Sequence, residues 1–430
     1  MPEVHHAPLA FRGEFAMKKQ SPFFVVILFL LMAACSASDS KLASELSNKH
    51  EQATTEVPPT PAATQTSTLI YFPPSSDQII QSVRTTVSSG TYTHMAVLND
   101  GRLVGWGENA GNSGEVPLDA RKGIYIYADN AASVSRDRDG YLYIDDKGNL
   151  WLPYIGSHWY LDLDGLPVDK GRTRLMENVA AALNGNAWGM ALTRGGNVWT
   201  WGVGAEGQLG IGGYIGTYDH TNPQRAPVKI MENVIMIDRC SAIKEDRTLW
   251  VWGYVGIPDK DGSMCRTSPT LVLEDVKFVN GWFAIKNDGS LWAWETLGNF
   301  LLGKYEMGEF YPEPEYSEPV KIMEDALFAS GHYQSSITII KGDNSLWVCG
   351  RNSHGQLGDG TMEPNWVLTE VMDDVVYAVT SEFNIYALKS NGELWEFGAP
   401  YYVWAGDDYT AEERLAMCLP HKIMDGILVP

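Results

Sequence analysis

Two short stretches set paired carboxylates beside a glycine, "DRDG" at 137–140 and "DLDG" at 162–165. Two acids and a glycine are a fragment of a calcium loop, in which successive oxygen ligands wrap a hard cation. Neither stretch has the third ligand or the distal glutamate, so both read as polar turns. The nine histidines are scattered, with no His-x-x-x-His pair beside a glutamate that would suggest a metal centre. Cys240, Cys265, Cys349 and Cys418 are spaced by 25, 84 and 69, which matches no zinc pattern and leaves open whether Cys240 and Cys265 pair. No G-x-S-x-G elbow, Walker loop or dinucleotide fingerprint occurs in a plausible context. The expectation is a protein without catalytic residues, metal or cofactor.

Recognition chemistry is better represented. The segments 296–318, "TLGNFLLGKYEMGEFYPEPEYSE", and 399–419, "APYYVWAGDDYTAEERLAMCL", mix acids with aromatics. The candidate contact residues are Tyr305, Phe310, Tyr311 and Tyr316 in the first, and Tyr401, Tyr402, Trp404 and Tyr409 in the second. Aromatic side chains supply large contact area at low entropic cost and anchor protein interfaces, or they pack a loop onto its own scaffold. The formal net charge of −21 repels phosphate backbones, so nucleic acid is excluded as a partner.

The N-terminus carries an address. From Met17 it reads "MKKQSPFFVVILFLLMAAC": two lysines, an apolar run too short to span a bilayer, then small residues before Cys35. That order is an export signal, and "LMAAC" resembles the bacterial lipobox, which implies lipidation of Cys35. The expected divisions are an upstream extension at 1–16, a lipoprotein signal peptide at 17–34, a flexible Ser/Thr/Pro-rich tether at 35–76 and a folded domain at 77–430. The tether has too few large apolar residues to offset the entropy of ordering. Such a protein is held outward-facing at the cell membrane by its lipid.

The elements that position the loops repeat. "VWTWG" at 198–202 and "LWVWG" at 249–253 have counterparts opening at Leu103, Leu150, Leu291, Leu346 and Leu394. The seven anchors are spaced 47, 48, 51, 42, 55 and 48, a period that signals a propeller or solenoid. Six residues before each anchor stands an aliphatic residue, from Val97 to Leu388, and between them lies a turn such as Asp100-Gly101 or Asn391-Gly392. Asp-Gly and Asn-Gly suggest a two-residue hairpin with positive φ at both positions. Paired tryptophans such as Trp250 and Trp252 share one strand face, and a strand that is apolar on both faces must be sandwiched between sheets. "PVKIMENV" at 227–234, "PVKIMEDA" at 319–326 and "PHKIMDGI" at 420–427 open with proline, which suits an outermost strand. About four antiparallel strands per fifty residues make an all-β, seven-bladed β-propeller, closed so that no broad edge is left exposed.

"WGVGAEGQLGIG" at 201–212 and "CGRNSHGQLGDGT" at 349–361 resemble the W-G-x-N-x-x-G-Q-L-G-x-G signature of the regulator of chromosome condensation repeat. "WGENAGNSGEV" at 106–116 is a degenerate third copy, and the family's early histidine is matched loosely by His94. The resemblance covers roughly residues 77–430 and implies the seven-bladed propeller reached from the period. Within that family the chain is similar to bacterial propeller-type beta-lactamase inhibitory proteins, which bind through aromatic loop residues. The expected function is therefore a lipid-anchored, non-enzymatic scaffold, a monomer that binds a protein or cell-wall polymer. The alternatives are a guanine-nucleotide exchange factor-like regulator, the role of the family's eukaryotic founder, and a glycan-acting propeller enzyme.

Overall fold

The computed structural model describes residues 86–89, 93–107, 116–119, 123–137, 140–153, 161, 166, 168–169, 171–185, 187–216, 222–256, 263–294, 318–331, 336–381, 383–398, 410, 416 and 418–430. The signal, Cys35 and the tether lie outside the described residues.

Seven antiparallel sheets follow one another along the chain, and the inner strand of each touches the next, the seventh touching the first. This is the expected seven-bladed propeller. The third blade is representative: Val179–Gly185 innermost, then Trp188–Thr193, Val198–Gly202 and, at the outer edge, Gln224–Met231. In every blade the repeated pentapeptide, Leu- or Val-Trp in all but the first, lies in the third strand, and the "PVKIM" or "PHKIM" segments supply the fourth strand of the third, fifth and seventh blades. The first two blades depart from the expected count. Val116–Asp119 and Val168–Asp169 add a fifth strand outside Ile124–Ala128 and Arg172–Met176, covering edges that carry no opening proline.

The paired tryptophans divide their labour. Trp201, Trp252 and Trp294 are almost wholly buried between sheets. Cys349 takes this place in the sixth blade, buried and reduced, and burial pushes its thiol up to about 12. The preceding tryptophans reach the rim. Trp292 donates its Nε1–H to Ser290 Oγ at 2.9 Å, and that hydroxyl donates to Asp288 at 2.6 Å. The same relay runs through Trp347, Ser345 and Asp343, and the serines' hydrogen bonds hold both carboxyls below their ordinary range.

The hairpins between second and third strands are three-residue loops, not the expected two-residue turns. In the first blade Gly101 N–H donates to Leu98 O at 2.9 Å and Leu98 N–H to Arg102 O, and of the Asp100-Gly101 pair only Gly101 has positive φ. A type I turn followed by one left-handed residue keeps the strand twist, so one permissive residue suffices. That residue is Gly101, Gly148, Gly196, Arg247, Gly289, Asn344 or Gly392.

Ring closure uses both ends of the domain. Val87 pairs with Ala96, whereas Ile427 bridges Leu98 and Leu428 N–H donates to Val97 O at 2.8 Å. The inner strand of the first blade is thus started by the C-terminal residues and continued by Val87–Ser89.

Candidate binding face

The two rims of the ring differ. One carries the hairpins and the blade-to-blade turns. There Val179 N–H donates to Gly148 O at 2.8 Å, and Asn178 O accepts from Arg194 N–H at 2.9 Å, stitching neighbouring hairpins through backbone alone. The pattern recurs at each junction, the last with Ile427 N–H to Gly392 O and Asn99 N–H to Gly426 O. Each of these turns places Asn130, Asn178, Asn233, Asp275, Asp325, Asp374 or Gly426 at positive φ, a conformation that Asn, Asp and Gly tolerate best.

The other rim carries the connections between third and fourth strands, which vary in length. The G-Q-L-G elements lie here and act as hooks between blades. Leu209 is fully buried, Thr200 Oγ1 donates to Leu209 O at 2.7 Å, and Trp252 of the next blade donates its Nε1–H to Gln208 O at 2.9 Å. In the sixth blade Leu357 N–H donates to Oδ1 of the buried Asn352, whose Nδ2 donates to Thr361 O at 3.0 Å. Gly358 lies so close to Phe397 of the seventh blade that a Cβ would stand 2.2 Å from its ring. The glycine-rich run is therefore a packing device that ties the third blade to the fourth and the sixth to the seventh.

Of those, 296–318 lies between the third strand Leu291–Ala293 and the fourth strand Val320–Met323, and 399–419 lies between Leu394–Phe397 and His421–Met424. The flanking strand ends open on the same rim. Tyr305, Phe310, Tyr311, Tyr316, Tyr401, Tyr402, Trp404 and Tyr409 lie outside the described residues. "DLDG" lies there too, and of "DRDG" the described Asp137 and Gly140 pair between neighbouring strands. Cys240 and Cys265 are both free thiols, which answers whether they pair.

A polar cluster that sequence reasoning missed stands at the stem of the 399–419 connection. Glu396 Oε1 accepts from Tyr386 Oη and from Asn384 Nδ2, both at 2.7 Å, and its Oε2 lies 3.5 Å from His421 Nε2. Glu396 is on the strand entering the connection and His421 on the strand leaving it, so the cluster ties the two stems together. The hydrogen bond that His421 donates to Glu396 raises its pKa above the ordinary value. Across the seam the Tyr386 ring packs against His94 at 4.8 Å and Trp106 at 5.8 Å, both of the first blade, and His94 Nδ1 shares a 2.8 Å hydrogen bond with Ser89 Oγ. The repeat alignment held the signal: where Glu396 stands, the other copies have Gly105, Leu152, Thr200, Val251, Ala293 and Val348.

The fold and the repeat define a class: the chain is a seven-bladed β-propeller that carries the regulator of chromosome condensation repeat. The model of that repeat, "Regulator of chromosome condensation (RCC1) repeat", matches residues 195–238, which run from the hairpin of the third blade to the inner strand of the fourth. No curated protein matches the chain in sequence. Among solved structures, human WBSCR16 is similar with a TM-score of 0.55 and 17% identity, over 72% of this chain and 88% of that one. The structure of Kap60 bound to yeast RCC1 (Prp20) gives 0.42 and 13%, over 79% and 74%. Prp20p from Saccharomyces cerevisiae gives 0.39 and 14%, over 79% and 76%. At these identities the likeness is one of fold.

Proposed function

We propose that the protein is an exported, lipid-anchored and non-enzymatic propeller that binds a protein or cell-envelope polymer through the loop rim of its fifth and seventh blades. The observation that carries this is the asymmetry of the rims. One carries the short hairpins and their backbone stitching, and the other carries the two longest connections, which hold the aromatic residues, with the G-Q-L-G hook of the sixth blade packed against the stem of the seventh-blade connection. Loops placed by a rigid scaffold are where recognition residues accumulate. The Glu396–His421 cluster adds a fixed stem to one of them. Attachment through Cys35, with residues 35–76 as tether, would hold the folded domain away from the membrane. Guanine-nucleotide exchange rests on the repeat resemblance alone, and glycan hydrolysis on no pair of carboxylates.

Affinity capture from the envelope fraction of the source organism tests this. The bait is the chain without its lipid, and the control carries Tyr311, Tyr316, Tyr402 and Trp404 each changed to Ala. A partner retained by the bait and lost from the control supports the loop rim. Identical capture by both refutes it.

A further inference from the structure

The inner strands line a small central recess, open to solvent and walled by the second to seventh blades. Each of these inner strands shifts register between its first and third residues, a bulge that re-aims the third side chain. The third positions are unequal. Ser133 and Ala181 leave room on one side, and Phe278, Phe328 and Tyr377 form a continuous aromatic wall on the other, with successive ring centroids 5.1 Å apart.

Two residues further along the strands the lining turns polar, with Asp238 beside Asn280. Asp238 Oδ2 accepts the backbone N–H of Gly281 in the next blade. The equivalent bond in the second blade, from Asn184 N–H at 3.0 Å, is accepted by the hydroxyl of Ser135. A neutral oxygen therefore suffices for the strand-to-strand bond, and a carboxylate does more than that bond needs. Burial pushes the Asp238 carboxyl up, and the charge of Arg239 only partly opposes this. A half-buried carboxylate at the wall of a recess favours a cation that completes its hydrogen bonding.

We propose that this cavity binds the head of an unbranched primary ammonium ion, with its charge on Asp238 and its methylene stem against Phe278, Phe328 and Tyr377. Aromatic walls attract organic cations and cover their stems, a contribution strongest where water is excluded. Anions meet the Asp238 carboxylate at the same point. A divalent metal would need further hard ligands, and among the described residues no three His, Cys, Asp or Glu converge to hold a metal ion. A free alkylamine and the side chain of a partner's lysine share this chemistry. The site is independent of the loop rim, and either reading stands if the other fails.

The test is ligand-observed NMR on the full chain, freed of lipid, titrated with n-butylammonium, with 1-butanol, and with lysine blocked at its α-amine and carboxyl. The expected result is butylammonium binding at least tenfold tighter than butanol, with at least a tenfold loss in Asp238→Asn and in Ala181→Phe. The first change keeps an acceptor for Gly281 and copies Asn280; the second fills the space and leaves the carboxylate. Thermal unfolding of both variants checks that they fold. Binding of blocked lysine as well as butylammonium supports a side-chain ligand, and binding of butylammonium alone supports a free amine. Equal binding of butanol and butylammonium, no binding of either ammonium probe, or wild-type affinity in the two folded variants overturns the proposal.

Discussion

Replacing Glu396 by Ala should destabilise the propeller by about 3–4 kcal/mol, whereas Gln should cost under about 1 kcal/mol. The magnitude follows from what is left behind. Tyr386 is 1% exposed, and its hydroxyl donates to Glu396 Oε1 at 2.7 Å. Without an acceptor, a buried hydroxyl costs roughly 1–3 kcal/mol. Asn384, equally buried, loses its 2.7 Å bond but keeps Gly398 O at 3.2 Å, so its share is about 1 kcal/mol. Removal of the glutamate stem adds about 1 kcal/mol for the methylenes no longer buried. His421 is 44% exposed at its side chain, so its pair with Glu396 adds little to the sum. With an unfolding entropy near 2.1 cal/mol/K per residue over about 350 residues, such a loss lowers Tm by about 5 °C. Glutamine keeps an oxygen for both donors and turns only its amide toward His421. The assay is thermal unfolding by circular dichroism of wild type, Glu396→Ala and Glu396→Gln at pH 7. If Ala proves as mild as Gln, the donors of Tyr386 and Asn384 find other acceptors, and the cluster does not tie the loop stem.

The same cluster makes a pH prediction. Because the His421 pKa is raised in the folded state, its pairing contributes fully below the ordinary value of 6.5 and is lost as pH rises through the raised value. The gap in denaturation midpoint between wild type and His421→Gln should therefore shrink from pH 6 toward pH 9, and a constant gap would contradict it. At Asp238 the sign is opposite to that of a salt-bridged acid. Its raised pKa means that ionisation opposes folding, so Asp238→Asn should gain stability as pH rises above 3.8 and show little gain below it, as read from midpoints between about pH 3 and pH 8. Gly358→Ala combines a left-handed backbone at φ 71° with a Cβ 2.2 Å from the Phe397 ring. It should cost about 2–4 kcal/mol, while Gly213→Ala, with nothing within 4 Å, should be near neutral by urea denaturation. Arg247 holds φ 65° at the hairpin position that five other blades give to glycine, so Arg247→Gly should raise the urea midpoint, by about 0.5–1 kcal/mol in stability.

What was legible in the sequence was local and periodic. The anchors Leu103 to Leu394, the turns before them and the proline-led outer strands recur every fifty or so residues because each blade must solve the same packing problem with the same short pattern. Trp250 and Trp252 announced a sandwiched strand because side chains two apart share a face. The residues that break the pattern carried less visible information. Glu396 looked like one more polar residue near a loop, since its partners Asn384, Tyr386 and His421 converge only when three strands pair. Asp238 gave no signal at all. Its surroundings come from six inner strands, and the cavity exists because Ser133 and Ala181 happen to face Phe278, Phe328 and Tyr377 across the ring. The hairpin geometry was misjudged for a related reason: the composition Asp-Gly fits two turn types, and the strand twist of the assembled blade selects between them. The composite first strand, built from Val87–Ser89 and Ile427–Leu428, joins residues more than three hundred positions apart. Periodicity along a chain specifies a repeated unit. Where the ring closes, and what its centre and seam contain, is decided by contacts between units, which only the tertiary structure brings together.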